Sequence, residues 1–203
     1  VCEVMHRTTI VPHCGTAHSE FEALVELLKP DVLFLVDRYV ESDSPIAEND
    51  TSKDPEFEHM LTHLEHYSKM VKKVFIMQAI PCNEKIIDLV KQSIQNDEDL
   101  DMLIEQSNYT HSDHGRRRLV DLVKRCDNCV LFDPYKRHLD DNEKFMFAHP
   151  KTRISFFDHS CHYTLYGLSL LDAFFQKMAE EFPRLMEANA KNNIYEWDPS
   201  LEH

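Results

Sequence analysis

The chain has 203 residues, 42% of them hydrophobic and 29% charged, enough for one ordinary domain with an apolar core and too apolar for a disordered chain. Acidic residues outnumber basic ones 36 to 22, and the formal charge of −14 argues against nucleic acid or an anionic membrane as the main partner. No apolar run approaches the roughly 20 residues of a membrane span, and Val1–Ile10 lacks the apolar stretch of a signal peptide.

In chain order, Ser19–Leu28 (SEFEALVELL) has the spacing of a short amphipathic helix. Lys29-Pro30 ends it, because proline disfavours helical geometry in the residue before it. DVLFLVDRY, residues 31–39, is a near-continuous apolar run of the buried-strand type, centred on Val32–Val36. Glu41–Pro55 is acidic, contains Ser, Pro and Asn, and reads as an exposed loop. Phe57–Val71 returns to helical spacing, with Phe57, Met60, Leu61, Leu64 and Tyr67 on one face. KVFIMQAIP is a second buried strand, stopped by Pro81, and its Val74–Met77 is expected beside Val32–Val36 in parallel. Lys85–Gln95 reads as a helix, and the acidic patch Asn96–Asp101 opens the least regular region, where DLDMLIEQ has the spacing of a helical turn or two. Gly115–Cys126 is helical, CVLFDP is a third strand, and Thr164–Phe182 is one closing helix. Helices alternating with apolar strands predict a βαβ pattern and a parallel sheet. Three glycines leave no room for a Gly-rich phosphate loop, and no cofactor is called for.

Six cysteines, Cys2, Cys14, Cys82, Cys126, Cys129 and Cys161, suit disulfides in an oxidising compartment, with buried free thiols as the alternative. Cys126–Cys129 is the first expected pair. With His111 and His114 it also forms an HxxH…CxxC array, but the eleven residues between are helical and span roughly 16 Å, whereas zinc needs all its ligands within about 2.3 Å. A redox CxxC opens a helix, and this one follows a helix, so a local disulfide or structural thiols is the better reading and no metal is expected. A Cys2–Cys14 bridge would close a loop of about 13 residues, worth roughly 3 kcal/mol in the chain-entropy model. Cys82 lies just past the second strand and Cys161 lies in the polar stretch described next. The carboxyl ends of parallel strands gather at one edge, which makes these two expected neighbours. The triplets Asn49-Asp50-Thr51 and Asn108-Tyr109-Thr110 are glycosylation candidates, and with the cysteines they point outside the cytosol.

FFDHSCHYTLYG, residues 156–167, concentrates acid–base chemistry: Asp158, His159 and His162 occupy five positions before a helix. A hydrolytic base is a histidine whose second ring nitrogen is held by a carboxylate, and Asp158 precedes His162 by four residues on a loop. Gly167 permits a close approach behind it. Thirteen histidines in the chain make such a neighbour pair cheap, so a plain polar loop is the competing reading.

HYTLYG with its preceding Asp resembles the last block of the SGNH (GDSL-type) hydrolases, a D-x-x-H-L-[ST]-x-x-G-like pattern. KPDVLFLVDRY and KKVFIMQAIP resemble core strands of that family. RLVDLVKRCDNCVLFDP followed by FAHPKTRISFFD resembles the branch attached to membrane-bound acyltransferases of the acyltransferase-3 type. The resemblance runs over roughly residues 21–182 and rests on the order and spacing of the segments. It implies a three-layer α/β sandwich with a mostly parallel sheet, SGNH-like and lacking its first strand. It implies an N-terminal extension at 1–18, the domain at 19–183 and a tail at 184–203. By the same resemblance His162 is the general base and Asp158 its orienting partner. Three residues separate them where the pattern has two, and His159 cannot substitute because Phe156 stands three before it.

The family's nucleophile is a serine in G-D-S or G-N-S. The glycines here lie in CGTAHS, DHGRRR and LYGLSL, Ser160 is too close to His162 to serve it, and Arg38-Tyr39 stands about where an oxyanion asparagine is expected. The expectation is a domain associated with O-acyl ester hydrolysis or acyl transfer whose serine is not in this chain. An acylated small molecule or carbohydrate would be the substrate, the setting is extracellular or lumenal, and a membrane would be met only through a parent acyltransferase. The alternative is a non-catalytic SGNH-like binding or structural module.

Overall fold

The computed structural model describes residues 4–5, 17–39, 43–107, 109–189 and 192–196. Helices α1 (Ala17–Leu28), α2 (Pro55–Met70), α3 (Ile86–Asn96), α4 (Leu100–Gln106), α5 (Asp113–Val123), α6 (Leu165–Leu170), α7 (Asp172–Glu180) and α8 (Phe182–Met186) accompany strands β1 (Val32–Leu35), β2 (Lys73–Met77), β3 (Cys129–Asp133) and β4 (Ile194–Glu196). The strands form one sheet in the order β1-β2-β3-β4, every neighbouring pair parallel. Phe34 pairs with Phe75, Ile76 with Leu131, and Phe132 with Tyr195. This is the three-layer α/β architecture expected, with Val32–Leu35 and Val74–Met77 side by side.

The chain divides into two compact units. The first holds the sheet, with the described residues of Val1–Ala79, Ser112–Asp133 and Glu181–Glu196. On one sheet face Val74, Ile76, Cys129 and Leu131 pack with Val25 of α1, with Phe57, Met60 and Leu64 of α2, and with Leu119 and Leu122 of α5. On the other, Phe34 stacks on Phe75 and Phe75 on Phe182 of α8. β2 and β3 are buried throughout, as continuous apolar runs require. β1 departs from the buried type: it is the terminal strand of the described sheet, and Phe34 is 50% exposed.

The helix starts follow local chemistry. Asp54 accepts from the Glu56 amide ahead of α2, and Pro55 sits in the first turn, where its missing N–H costs nothing. The described part of the acidic segment, residues 43–55, does more than loop through solvent. Two 3-10 turns, Ala47–Asn49 and Thr51–Lys53, lie in it, and the Asp43 carboxylate accepts the Ser112, His114 and Gly115 amides at the start of α5. Arg118, fully buried, donates to Asp54 and to the Ser44 carbonyl.

The second unit comprises the described residues of Ile80–His111 and Pro134–Glu180. Its core gathers Ile80, Ile86, Ile104, Phe147, Phe156 and Phe157. The single closing helix expected over residues 164–182 is three. α6 ends at Leu170, whose carbonyl is taken by the Arg137 Nε at 3.1 Å, and α7 ends at Glu180, before the Pro183 that opens α8. From Phe182 onward the chain supplies α8 and, through β4, a fourth strand that the apolar pattern of the sequence does not predict.

Candidate functional site

The Asp158–His162 loop is closed at its base by the Phe157–Tyr163 bridge. The Asp158 amide donates to the His162 carbonyl at 2.9 Å, and the Cys161 amide to the Asp158 carbonyl at 3.1 Å. Asp158 Oδ1 accepts the Ser160 amide at 2.8 Å and the His162 amide at 3.0 Å. This is a carboxylate-built turn, the geometry for which Asp is favoured in loops. Thr164 then caps α6, its Oγ1 accepting from the Gly167 amide at 3.1 Å. A Cβ on Gly167 would lie 2.1 Å from the Phe156 carbonyl oxygen, so only glycine fits behind the loop.

With Oδ1 occupied, Oδ2 faces the ring: it lies 3.5 Å from His162 Nδ1. That is longer than the 2.6–3.2 Å of a catalytic hydrogen bond. It is an ion-pair distance between two side chains about two-fifths exposed. Burial raises the Asp158 carboxyl, but the His162 and Ser160 amides and the His162 ring outweigh it and hold the group below the ordinary aspartate value. Asp158 is therefore anionic at neutral pH and turned towards Nδ1, with Nε2 on the far side of the ring. Between the pair, Cys161 takes the left-handed conformation at φ 58°.

Cys161 is joined to Cys82, and Cys126 to Cys129. Both pairings match the expected neighbours. Cys82 comes five residues after Met77, the last residue of β2, and is fixed by reciprocal backbone hydrogen bonds with Thr110, each 2.9 Å. With Cys126 and Cys129 oxidised, the HxxH…CxxC array has no thiolate to offer a metal. Among the described residues no group of three His, Cys, Asp or Glu stands where it could hold one. Cys2, Cys14 and Asn108 lie outside the described residues, and Asn49 ends a 3-10 turn.

Two arrangements are visible only in the folded chain. His138 is fully buried, and its Nε2 lies 2.9 Å from the hydroxyl of Tyr163, the residue after His162. Burial pushes its pKa down to about 3, against a backbone hydrogen bond at Met146 that raises it, so the imidazole is neutral. Arg116 on α5 donates to Asp133 at the carboxyl end of β3 and to the Ala79 carbonyl. Neither has a sequence signal beyond residue type, since each partner is far away along the chain.

No curated protein and no solved structure matches the chain. The model of the SGNH domain (fused to AT3 domains) matches residues 2–177, and the chain belongs to that family.

Proposed function

We propose that this domain serves O-acyl ester hydrolysis or acyl transfer, with His162 as general base and Asp158 as the group that orients it. A serine outside these 203 residues attacks the acyl carbon. His162 Nε2 takes the serine proton and returns it to the departing alcohol, and water or an acceptor hydroxyl then releases the acyl group with the same base. The observation that carries this reading is the division of labour on Asp158: Oδ1 is bound by two loop amides, and Oδ2 faces His162 Nδ1. The substrate is an acylated small molecule or carbohydrate. The setting is the lumenal or extracellular side of an acyltransferase-3-type membrane parent, in keeping with two disulfides and the family's fusion to AT3 domains.

The test is turnover of short acyl esters by the full-length protein and by this chain. The full-length protein is expected to turn over, and His162→Ala is expected to lower kcat by about 10³-fold or more, on the scale of removing a triad member. This chain alone should stay at background. Robust turnover by the chain, or a full-length rate indifferent to His162, refutes the proposal.

A second reading, a non-catalytic SGNH-like module, is favoured by one observation: none of the three glycines is followed by the Asp-Ser or Asn-Ser of the family's nucleophile motif. A full-length protein without such a motif and without turnover would decide for it.

A further inference from the structure

This chain makes the same five-residue loop twice in one compact unit. In the first copy the Asp140 amide donates to the Lys144 carbonyl at 2.9 Å and the Glu143 amide to the Asp140 carbonyl at 3.0 Å. Asp140 Oδ1 accepts the Asn142 and Lys144 amides at 2.9 and 2.8 Å. Glu143 has φ 62°, and a Leu139–Phe145 bridge closes the base. Asp158–His162 repeats every one of these features, with Cys161 in the place of Glu143. The aspartate pattern therefore forms the loop without a disulfide. In that first copy the Lys144 side chain pairs with Glu105 of α4, and the fourth positions of the two copies differ. Glu143 is exposed, whereas Cys161 is buried and bonded to Cys82.

A surface loop held only by its own backbone hydrogen bonds opens locally at little cost in free energy. For the Asp158–His162 pair that opening matters, because the two residues are the ends of the loop. Losing the His162 amide bond to Oδ1 also releases the ring from Oδ2. A covalent tether at the fourth position restricts the open states far more than it restricts the closed one.

We propose that Cys161 is a positioning residue of the Asp158–His162 pair: its bond to Cys82 keeps the loop closed and so holds the imidazole against the carboxylate. The inference rests on reading that pair as base and orienter, and its test uses no turnover, so the two ideas fail separately. Amide hydrogen exchange is measured on the oxidised chain, where Asn142 and Lys144 report the loop without a covalent tether and Ser160 and His162 the disulfide-tethered one. Ser160 and His162 should exchange about 10-fold or more slowly than Asn142 and Lys144. In Cys82→Ala/Cys161→Ala the difference should vanish with Asn142 and Lys144 unchanged. The Asp158 carboxyl, titrated by NMR, should then move up towards an ordinary aspartate. Should the double variant fail to fold, the comparison within the oxidised chain decides alone. Equal exchange of the two loops in the oxidised chain, or a folded double variant with unaltered Ser160 and His162 protection, overturns the proposal.

Discussion

His138 stands among the rings of Phe145, Phe156, Phe157 and Tyr163 with none of its surface exposed. Its pKa of about 3 lies below the ordinary 6.5, so below pH 6.5 the unfolded chain takes up a proton that the folded chain refuses. The stability that His138 contributes by staying neutral is complete above pH 6.5 and is lost as the pH falls from there towards 3. The total is roughly 5 kcal/mol at most, because each tenfold change in proton affinity is worth about 1.4 kcal/mol. Urea unfolding between pH 7 and 4 should show this slope, and His138→Phe should flatten it. An equal slope in the variant would mean that other groups carry the acid sensitivity. Of thirteen histidines, spacing draws attention to His162, with an aspartate four residues before it, and to His111 and His114 of the HxxH array, and it is the family resemblance that selects His162. His138 is illegible in the sequence because its neighbours reach it only through the fold.

At the scale of elements, strands are the most legible: VLFL, KVFIM and CVLFD are apolar runs bounded by breakers. β4 is not, because three residues alternating exposed, buried and exposed carry too little pattern. The break between α6 and α7 is hidden as well, since the Leu170 carbonyl is taken by Arg137, 33 residues away in sequence. Gly167 is legible as a close-approach position. Gly167→Ala should cost about 1–3 kcal/mol in chemical denaturation, because the new Cβ meets a backbone oxygen that cannot swing aside. A neutral result would mean that α6 shifts freely. Asp43 reads in the sequence only as part of an acidic loop. Asp43→Ala should destabilise by about 1–2 kcal/mol through the loss of three amide partners at the start of α5, whereas Asp43→Asn should lose less.

Over the whole molecule the two disulfides are unequal. Cys126–Cys129 spans 3 residues and Cys82–Cys161 spans 79. The chain-entropy model assigns about 2 kcal/mol to the first and about 4–5 kcal/mol to the second. Removing each pair in turn and measuring denaturation midpoints should reproduce that order, and the reverse order would place the dominant effect in native packing. The sequence carries the alternation of helix and strand, the parallel sheet and the Asp–His stretch. It does not carry the division into two units, which depends on contacts made only after the chain has folded.

The central claim is that His162 activates a serine that this chain does not contain. A serine-reactive fluorophosphonate probe tests it most directly, applied to the full-length protein, its His162→Ala variant and the 203-residue chain, with the labelled residue mapped by mass spectrometry. The expected result is labelling of a serine in the full-length protein outside this chain, a large loss of labelling in His162→Ala, and no labelling of the chain alone. Labelling of Ser160 in the isolated chain, or full-length labelling that ignores His162, would contradict it.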